Sequence, residues 1–347
     1  MSMLIDLRSD FIARPTPEMI EAMSRAAGEP CSFGLRESPI QRRLEDLGAQ
    51  LLGKEDALFF PTCTMCNQTA INIFCSPGDR FIAECHSHCI LSEGGAPAAL
   101  SGATPLPLHG NNGLLSLPDL LAAFDLGDAQ RGRTSLLVLE NTHNRSGGTI
   151  VDERHMSDYC EAARKHGVPV HLDGARIFNA AVALRIPAKK LTRHVESVAL
   201  SLNKGLSAPM GALLAGGKEF IEEAVRVRQR FGGGWRPTNI LAAAGIVALE
   251  RMVERLAEDH ERAFRLAEGI SACKCINVDL KTVQTNLVLA RLNHSKCGIQ
   301  EFIEMLAEHD ILVIRFGADT IRMAMHWEIS DQMVERVIDV FNKLDRS

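Results

Sequence analysis

A chain of 347 residues can hold one large domain plus a smaller one and bury a substantial core. With 46% hydrophobic and 23% charged residues it has the composition of an ordinary globular protein, and a net charge of −5 with a pI near 6.2 gives no electrostatic reason to expect nucleic acid or an anionic membrane. The longest apolar run, residues 240–249, is too short for a bilayer span of about 20 residues, and the first ten residues carry charges where a signal peptide needs an apolar centre; a cytoplasmic location is expected.

In chain order, Thr16 caps a helix that has Pro17 at its first position and continues through Met19, Ile20 and Met23. Residues 29–37 are irregular, with Gly34 as a turn or lid. Ser38 then caps a second amphipathic helix that carries Leu44, Leu47 and Leu51 and stops at Gly53. From Ala57 short apolar strands alternate with helices. A strand over 57–60 runs into Thr62, Cys63 and Thr64, where small and hydroxylic residues at a helix start expose backbone N–H groups, a ready anion site. Further strands are expected at 80–83, at 136–139 ending in Glu140, and over 168–172 ending in Asp173. The last of this series, 195–200, runs toward Lys204, with a second apolar run at 210–215 after it. Strands alternating with helices imply an α/β fold with a mainly parallel sheet and ligands at the carboxyl ends of its strands. Glu140, Asp173 and Lys204 all sit at such ends.

After a basic amphipathic helix at 218–230 and the break at Gly232, Gly233 and Gly234, one long helix is expected over 239–272, apolar in its first half and charged in its second. The remainder reads as a small α+β domain: strands at 286–292, 311–316 and 320–326, helices at 298–309 and 330–344. The division falls near residue 250, giving a large domain over 1–250 and a small one over 251–347.

Ten cysteines over this length do not make a disulfide scaffold. Cys63 with Cys66, and Cys85 with His86, His88 and Cys89, could serve a zinc ion only if the two clusters met in space; reduced thiols packed as small hydrophobes are the simpler expectation, and no metal is assigned. A different chemistry is suggested by Lys204 and Asp173. A buried lysine loses its charge readily and attacks aldehydes, and a carboxylate at a neighbouring strand end can hold a pyridinium nitrogen. Those are the two needs of a pyridoxal phosphate site.

With these residues placed, the chain resembles the low-specificity L-threonine aldolase family of the β-eliminating lyase superfamily. The likeness is carried by Asp6-Leu7-Arg8-Ser9-Asp10 with Arg14-Pro15-Thr16, by Glu140-Asn141-Thr142-His143-Asn144 and by His171-Leu172-Asp173-Gly174-Ala175-Arg176. It continues in Lys204-Gly205-Leu206 with Ala208-Pro209 and in Gly232-Gly233-Gly234 before Arg236. The resemblance implies fold type I, an aspartate-aminotransferase-like large domain with the small α+β domain, and pyridoxal 5'-phosphate as cofactor. It implies retro-aldol cleavage of a β-hydroxy-α-amino acid (threonine, allo-threonine or a bulkier analogue such as phenylserine) to glycine and an aldehyde. β-Elimination or racemisation on the same frame is the nearest alternative, and a non-catalytic ligand-binding relative a more distant one.

The roles follow from the same resemblance. Lys204 is the imine-forming amine, Asp173 the partner of the pyridinium nitrogen, and His88 the imidazole stacked on the ring. Cys63 and Thr64 meet the phosphate, Glu140 orients the cofactor side, and Arg236 reaches a neighbouring subunit's phosphate. Ser9, Arg176 and Arg322 clamp the substrate carboxylate, and His143, or alternatively His88, takes the β-hydroxyl proton. Phe33 stands where the family often has Tyr, leaving room for a less polar β-substituent. Cys63 and Cys66 replace a usual Gly and Ala, and Trp235-Arg236-Pro237-Thr238 replaces a more polar pattern. A homodimer or homotetramer with sites at the subunit interface is expected.

Overall fold

The computed structural model describes residues 4–31, 33–126, 130–293 and 297–346. Met1, Ser2 and Met3, part of the opening stretch read against a signal peptide, and Ser32, in the irregular segment, lie outside the described residues.

The alternation read from the sequence gives, in order, β1 (Ile5–Asp6), β2 (Asp56–Phe60), β3 (Arg80–Glu84), β4 (Thr104–Leu108), a small hairpin of β5 (Gly110–Asn111) and β6 (Leu114–Leu115), β7 (Thr134–Glu140), β8 (Val170–Asp173), β9 (Ser197–Ser201) and β10 (Ala212–Gly216). Seven of them form one sheet in the order β2-β10-β9-β8-β7-β3-β4. All neighbours pair in parallel except β10, which runs antiparallel to both β2 and β9. The apolar run after Lys204 therefore returns against the strand it follows. Its turn closes through the Leu202 N–H on the Gly211 carbonyl, and Gly211, at φ +118°, lies where a side chain would strike the Phe59 ring. β4 was not foreseen. Its Thr-Pro-Leu-Pro-Leu sequence reads poorly as a strand, and it survives because it is an edge strand, where proline is tolerated.

The two capped helices form as expected: Thr16 Oγ1 accepts from Met19 N–H ahead of Pro17–Ala27, and Ser38 Oγ from Gln41 N–H ahead of Pro39–Leu52. The long helix is instead three segments. Asn239–Val247 widens into a π turn at Ala248–Met252, and Leu256–Ile270 begins afresh. The first segment approaches its neighbours closely because it carries Gly245; a Cβ there would come within 3.0 Å of Leu44 and 3.1 Å of Leu202.

Beyond it, β11 (Ile276–Asn277), β12 (Leu287–Leu292), β13 (Ile311–Leu312), β14 (Ile314–Arg315) and β15 (Thr320–Ala324) follow. The order β11-β12-β15-β14 makes an antiparallel sheet, with a core of its own that includes Leu266, Phe302 and Phe341. The single strand expected over 311–316 is split because its two halves serve different partners. Ile311 and Leu312 pair in parallel with Ile5 and Asp6, whereas Ile314 and Arg315 pair with β15. Ile5 and Leu7 are buried in this second core. No helix of the described residues is long and apolar enough to cross a membrane.

Candidate active site

The carboxyl ends of the parallel strands converge on a cavity of about 210 Å³. Ser9, Cys63, Thr64, His88, Glu140, Asp173, Arg176, Lys204 and Arg322 line it together with Thr62 and Asn67. Strand register explains much of this: Glu140 and Asp173 are direct neighbours at the ends of β7 and β8. Lys204 is not at a strand end but three residues past β9, in a turn closed by the Ser207 N–H on the Lys204 carbonyl at 2.8 Å. Burial and the Arg176 charge push its amine below the usual lysine range, against the opposing pull of Cys63, Asp173 and Asp10.

Asp173 is held in place by three groups. The Asn67 amide donates to Oδ2 at 2.8 Å, the Ala175 N–H donates to Oδ1 at 3.1 Å, and the Cys63 thiol lies 3.9 Å from Oδ1. Asn67 also donates to Glu93 at 2.9 Å, and its oxygen faces His171 Nε2 at 3.0 Å. Burial pushes His171 down to about 4, so it stays neutral at pH 7 and can donate to that oxygen. Glu93 in turn faces His88 Nδ1 at 2.7 Å. Burial depresses the His88 pKa, but this hydrogen bond and the Asp173 charge outweigh it, and the net shift is upward. Asn67, Glu93 and His171 were missed as site residues because amide and core histidine positions carry no spacing signal; only their convergence on Asp173 reveals them.

At the other wall Arg176 is gripped by Asp10, Nε to Oδ2 and Nη2 to Oδ1, both at 2.7 Å. Asn286 donates to the same carboxylate at 3.0 Å. Arg322 donates to Asn144 Oδ1 at 2.9 Å and to the Arg8 carbonyl at 3.1 Å, while its Nε is buried without a partner among the described residues. Burial and the nearby Arg176 charge lower the Arg322 pKa to about 10. Two guanidiniums sharing a confined cavity repel each other, and a carboxylate between them would relieve that repulsion.

Three expected site residues are not in this cavity. His143 is buried next to it with both ring nitrogens engaged: Nε2 with Glu84 at 3.0 Å and Nδ1 with the Ser146 hydroxyl at 2.9 Å. Burial works against its protonation, but the Glu84 hydrogen bond and the Glu140 charge raise its pKa overall. Phe33 and Arg236 meet each other on the surface, the Arg236 Nη1 donating to the Phe33 carbonyl at 2.8 Å with the guanidinium 5.6 Å from the ring centre. Phe33 is 92% exposed. Among the described residues, the groups able to hold a metal ion are Glu84, Cys85 and His86, and His88, Glu93 and Asp173; neither includes Cys63 or Cys66.

Residues 6–293 match the family model described as beta-eliminating lyase. The chain belongs to that family. It is 36% identical over 344 residues to low-specificity L-threonine aldolase 1 of Arabidopsis thaliana, covering 98% of this chain and 96% of the relative. It is 35% identical over 335 residues to the low specificity L-threonine aldolase of Escherichia coli (strain K12), covering 96% and 97%. Among solved structures, threonine aldolase of Leishmania major superposes with a TM-score of 0.85 at 19% identity, covering 98% of this chain and 99% of that one. At that identity the likeness bears on the fold alone, which is fold type I of the pyridoxal phosphate enzymes.

Proposed function

We propose that this protein is a pyridoxal phosphate-dependent lyase that cleaves β-hydroxy-α-amino acids to glycine and an aldehyde. The observation that carries the reading is the cavity itself, in which a depressed lysine amine, a fixed carboxylate and two arginines meet. The donor set fits the cofactor. Lys204 offers an amine for its aldehyde, and Asp173, oriented by Asn67, an acceptor for its ring nitrogen. The hydroxyls and amides at the start of the Cys63–Phe74 helix can hold its phosphate. When bound, pyridoxal phosphate supplies an electron sink for the carbanion left at Cα.

The remaining work falls to side chains of this chain. Ser9, Arg176 and Arg322 would hold the α-carboxylate and so fix the substrate's orientation, which would favour cleavage at Cα–Cβ over loss of the carboxylate itself. We assign the β-hydroxyl proton to His88, which lines the cavity and whose Nδ1 is occupied by Glu93, leaving Nε2 toward the substrate. His143, with both nitrogens occupied, supports the same wall from behind. Glu140 accepts the His88 N–H at 2.6 Å and the Asn144 N–H at 2.8 Å, and so orients both sides of the site.

Phe33 and Arg236, exposed and away from this chain's own cavity, are read as reaching the site of a second copy, in a homodimer or homotetramer; a sizing experiment that finds a fully active monomer contradicts this. The ten cysteines, half of them buried as small hydrophobes, support a reducing, cytoplasmic setting. The chain is read as two units, 1–250 and 251–347, with β1 crossing into the second core.

The test is incubation with threonine, allo-threonine and phenylserine. Glycine and the matching aldehyde are expected. Ammonia with a keto acid, or racemised substrate, in their place overturns the reading.

A further inference from the structure

The parallel pairing of β3 and β4 sets Glu84 opposite Leu108, and the ladder continues one step through the Cys85 N–H on the Leu108 carbonyl at 2.8 Å. Cys85 and His109 therefore stand side by side just past the two strand ends. The Cys85 sulfur lies 3.1 Å from His86 Nδ1, 3.3 Å from His109 Nδ1 and 3.4 Å from Glu84 Oε1; His86 Nδ1 is 3.2 Å from the same Oε1. The sulfur, His86 Nδ1 and Glu84 Oε1 thus lie within 4.8 Å of one another, and His109 borders the group through the sulfur.

A tetrahedral zinc with Zn–S near 2.3 Å and Zn–N or Zn–O near 2.0–2.1 Å has ligand-to-ligand edges of roughly 3.3–3.6 Å. The three separations among the sulfur, His86 Nδ1 and Glu84 Oε1 lie within a few tenths of an ångström of that range. A thiol has one proton to donate, so it satisfies only one of its three neighbours as a donor; a cation uses a lone pair from the sulfur, the His86 nitrogen and the Glu84 oxygen at once. The carboxylate is already aimed. Gly110 N–H donates to Oε1 at 3.2 Å, and the His86 N–H donates to Oε2 at 2.6 Å. Glu84 is buried, whereas His86 and His109 are exposed, so the cluster is anchored from below and open to an arriving ion.

We propose that Glu84, Cys85 and His86 form a binding site for a zinc-class divalent transition metal, with His109 beside the thiolate. Thiolate and imidazole ligands select zinc and its neighbours over magnesium or calcium. Three protein ligands leave a fourth position for water, and the ion fixes Glu84 at the end of β3. Glu84 Oε2, left outside the coordination sphere, keeps its contact with His143 Nε2 at 3.0 Å, so the ion stiffens the wall behind the cavity. Binding deprotonates Cys85 and releases that proton to solvent. The site stands independently of the reaction assigned above.

The full chain, loaded with cofactor and stripped with a chelator, is titrated with cobalt(II). A single equivalent per chain is expected, with an intense thiolate-to-cobalt absorption band that added zinc abolishes. Cys85→Ser should lose the band, and His86→Ala should weaken binding by about tenfold or more, while both keep the cofactor's absorbance. Absence of the band in the unaltered protein, its survival in Cys85→Ser, or equal metal affinity in all three proteins overturns the proposal.

Discussion

Asp10 holds Arg176 by two parallel hydrogen bonds of 2.7 Å, with both side chains buried. The pair fixes one edge of the guanidinium and leaves Nη1, which has no hydrogen-bond partner among the described residues, for the carboxylate that the proposed clamp would hold. Removing one partner strands a buried charge, which costs roughly 3–5 kcal/mol. Asp10→Ala is expected to lower the melting temperature and to raise KM for the amino acid about tenfold or more, with cofactor binding little changed. Thermal melts and steady-state kinetics check both parts. Arg176 and the other donors outweigh burial and hold the Asp10 carboxyl well below its usual range. Its stabilising contribution is therefore complete above the unfolded carboxylate pKa and is lost as pH falls below it; Asp10→Asn should flatten the acid limb of the stability curve.

Lys204→Ala is expected to abolish the visible absorbance of the cofactor-bound protein and to cut kcat by about 10³-fold or more. Borohydride reduction followed by peptide mass analysis should place the reduced cofactor on Lys204 in the unaltered chain. A label on any other lysine, with activity retained in the variant, refutes the assignment.

Asn67 ties Asp173, Glu93 and His171 into one network. Asn67→Ala leaves two buried carboxylates short of a donor, at roughly 1–3 kcal/mol. Cofactor affinity should fall about 10- to 100-fold. Titration of the apoprotein with cofactor, followed by absorbance, measures it; an unchanged affinity means that Asp173 does not depend on Asn67 for its orientation.

Much of this site was legible in the sequence because its residues end strands. Apolar runs stopping at Glu140 and Asp173 point to a shared edge, and register then sets the two side by side. Ser9, Arg176 and Arg322 needed the family resemblance, since 313 positions separate the first from the last and no local pattern links them. What stayed illegible were residues that act by satisfying others. Asn67 and Glu93 sit in unremarkable local sequence, Asp10 lies in a recognised motif without an assigned role, and only the fold shows whose hydrogen bonds they complete. The two histidines also look alike in sequence, and only the fold shows that His143 is buried with both ring nitrogens engaged while His88 lines the cavity. The long helix misled because a π turn leaves no helix breaker behind.

Asp259 offers a test of the second unit. It is buried beside Arg255, yet its Oδ2 has no partner among the described residues, and burial pushes its pKa up to about 6. An acid whose folded pKa is raised weakens the fold as pH climbs from the unfolded carboxylate value through the folded one. Stability should decline between about pH 4 and pH 6 by roughly 1–3 kcal/mol from this group, and Asp259→Asn should remove that decline. Denaturant melts at three pH values decide it; an identical slope in both proteins rejects the assignment.

The pairing of Ile5 with Ile311 bears on how the enzyme is born. Ile5 pairs with a residue 306 positions further along, and Ser9 lines the same cavity as Arg322, 313 positions away. Contacts so distant along the chain are slow to close. The central sheet draws all its strands from residues 56–216, so it is expected to close before the cavity does.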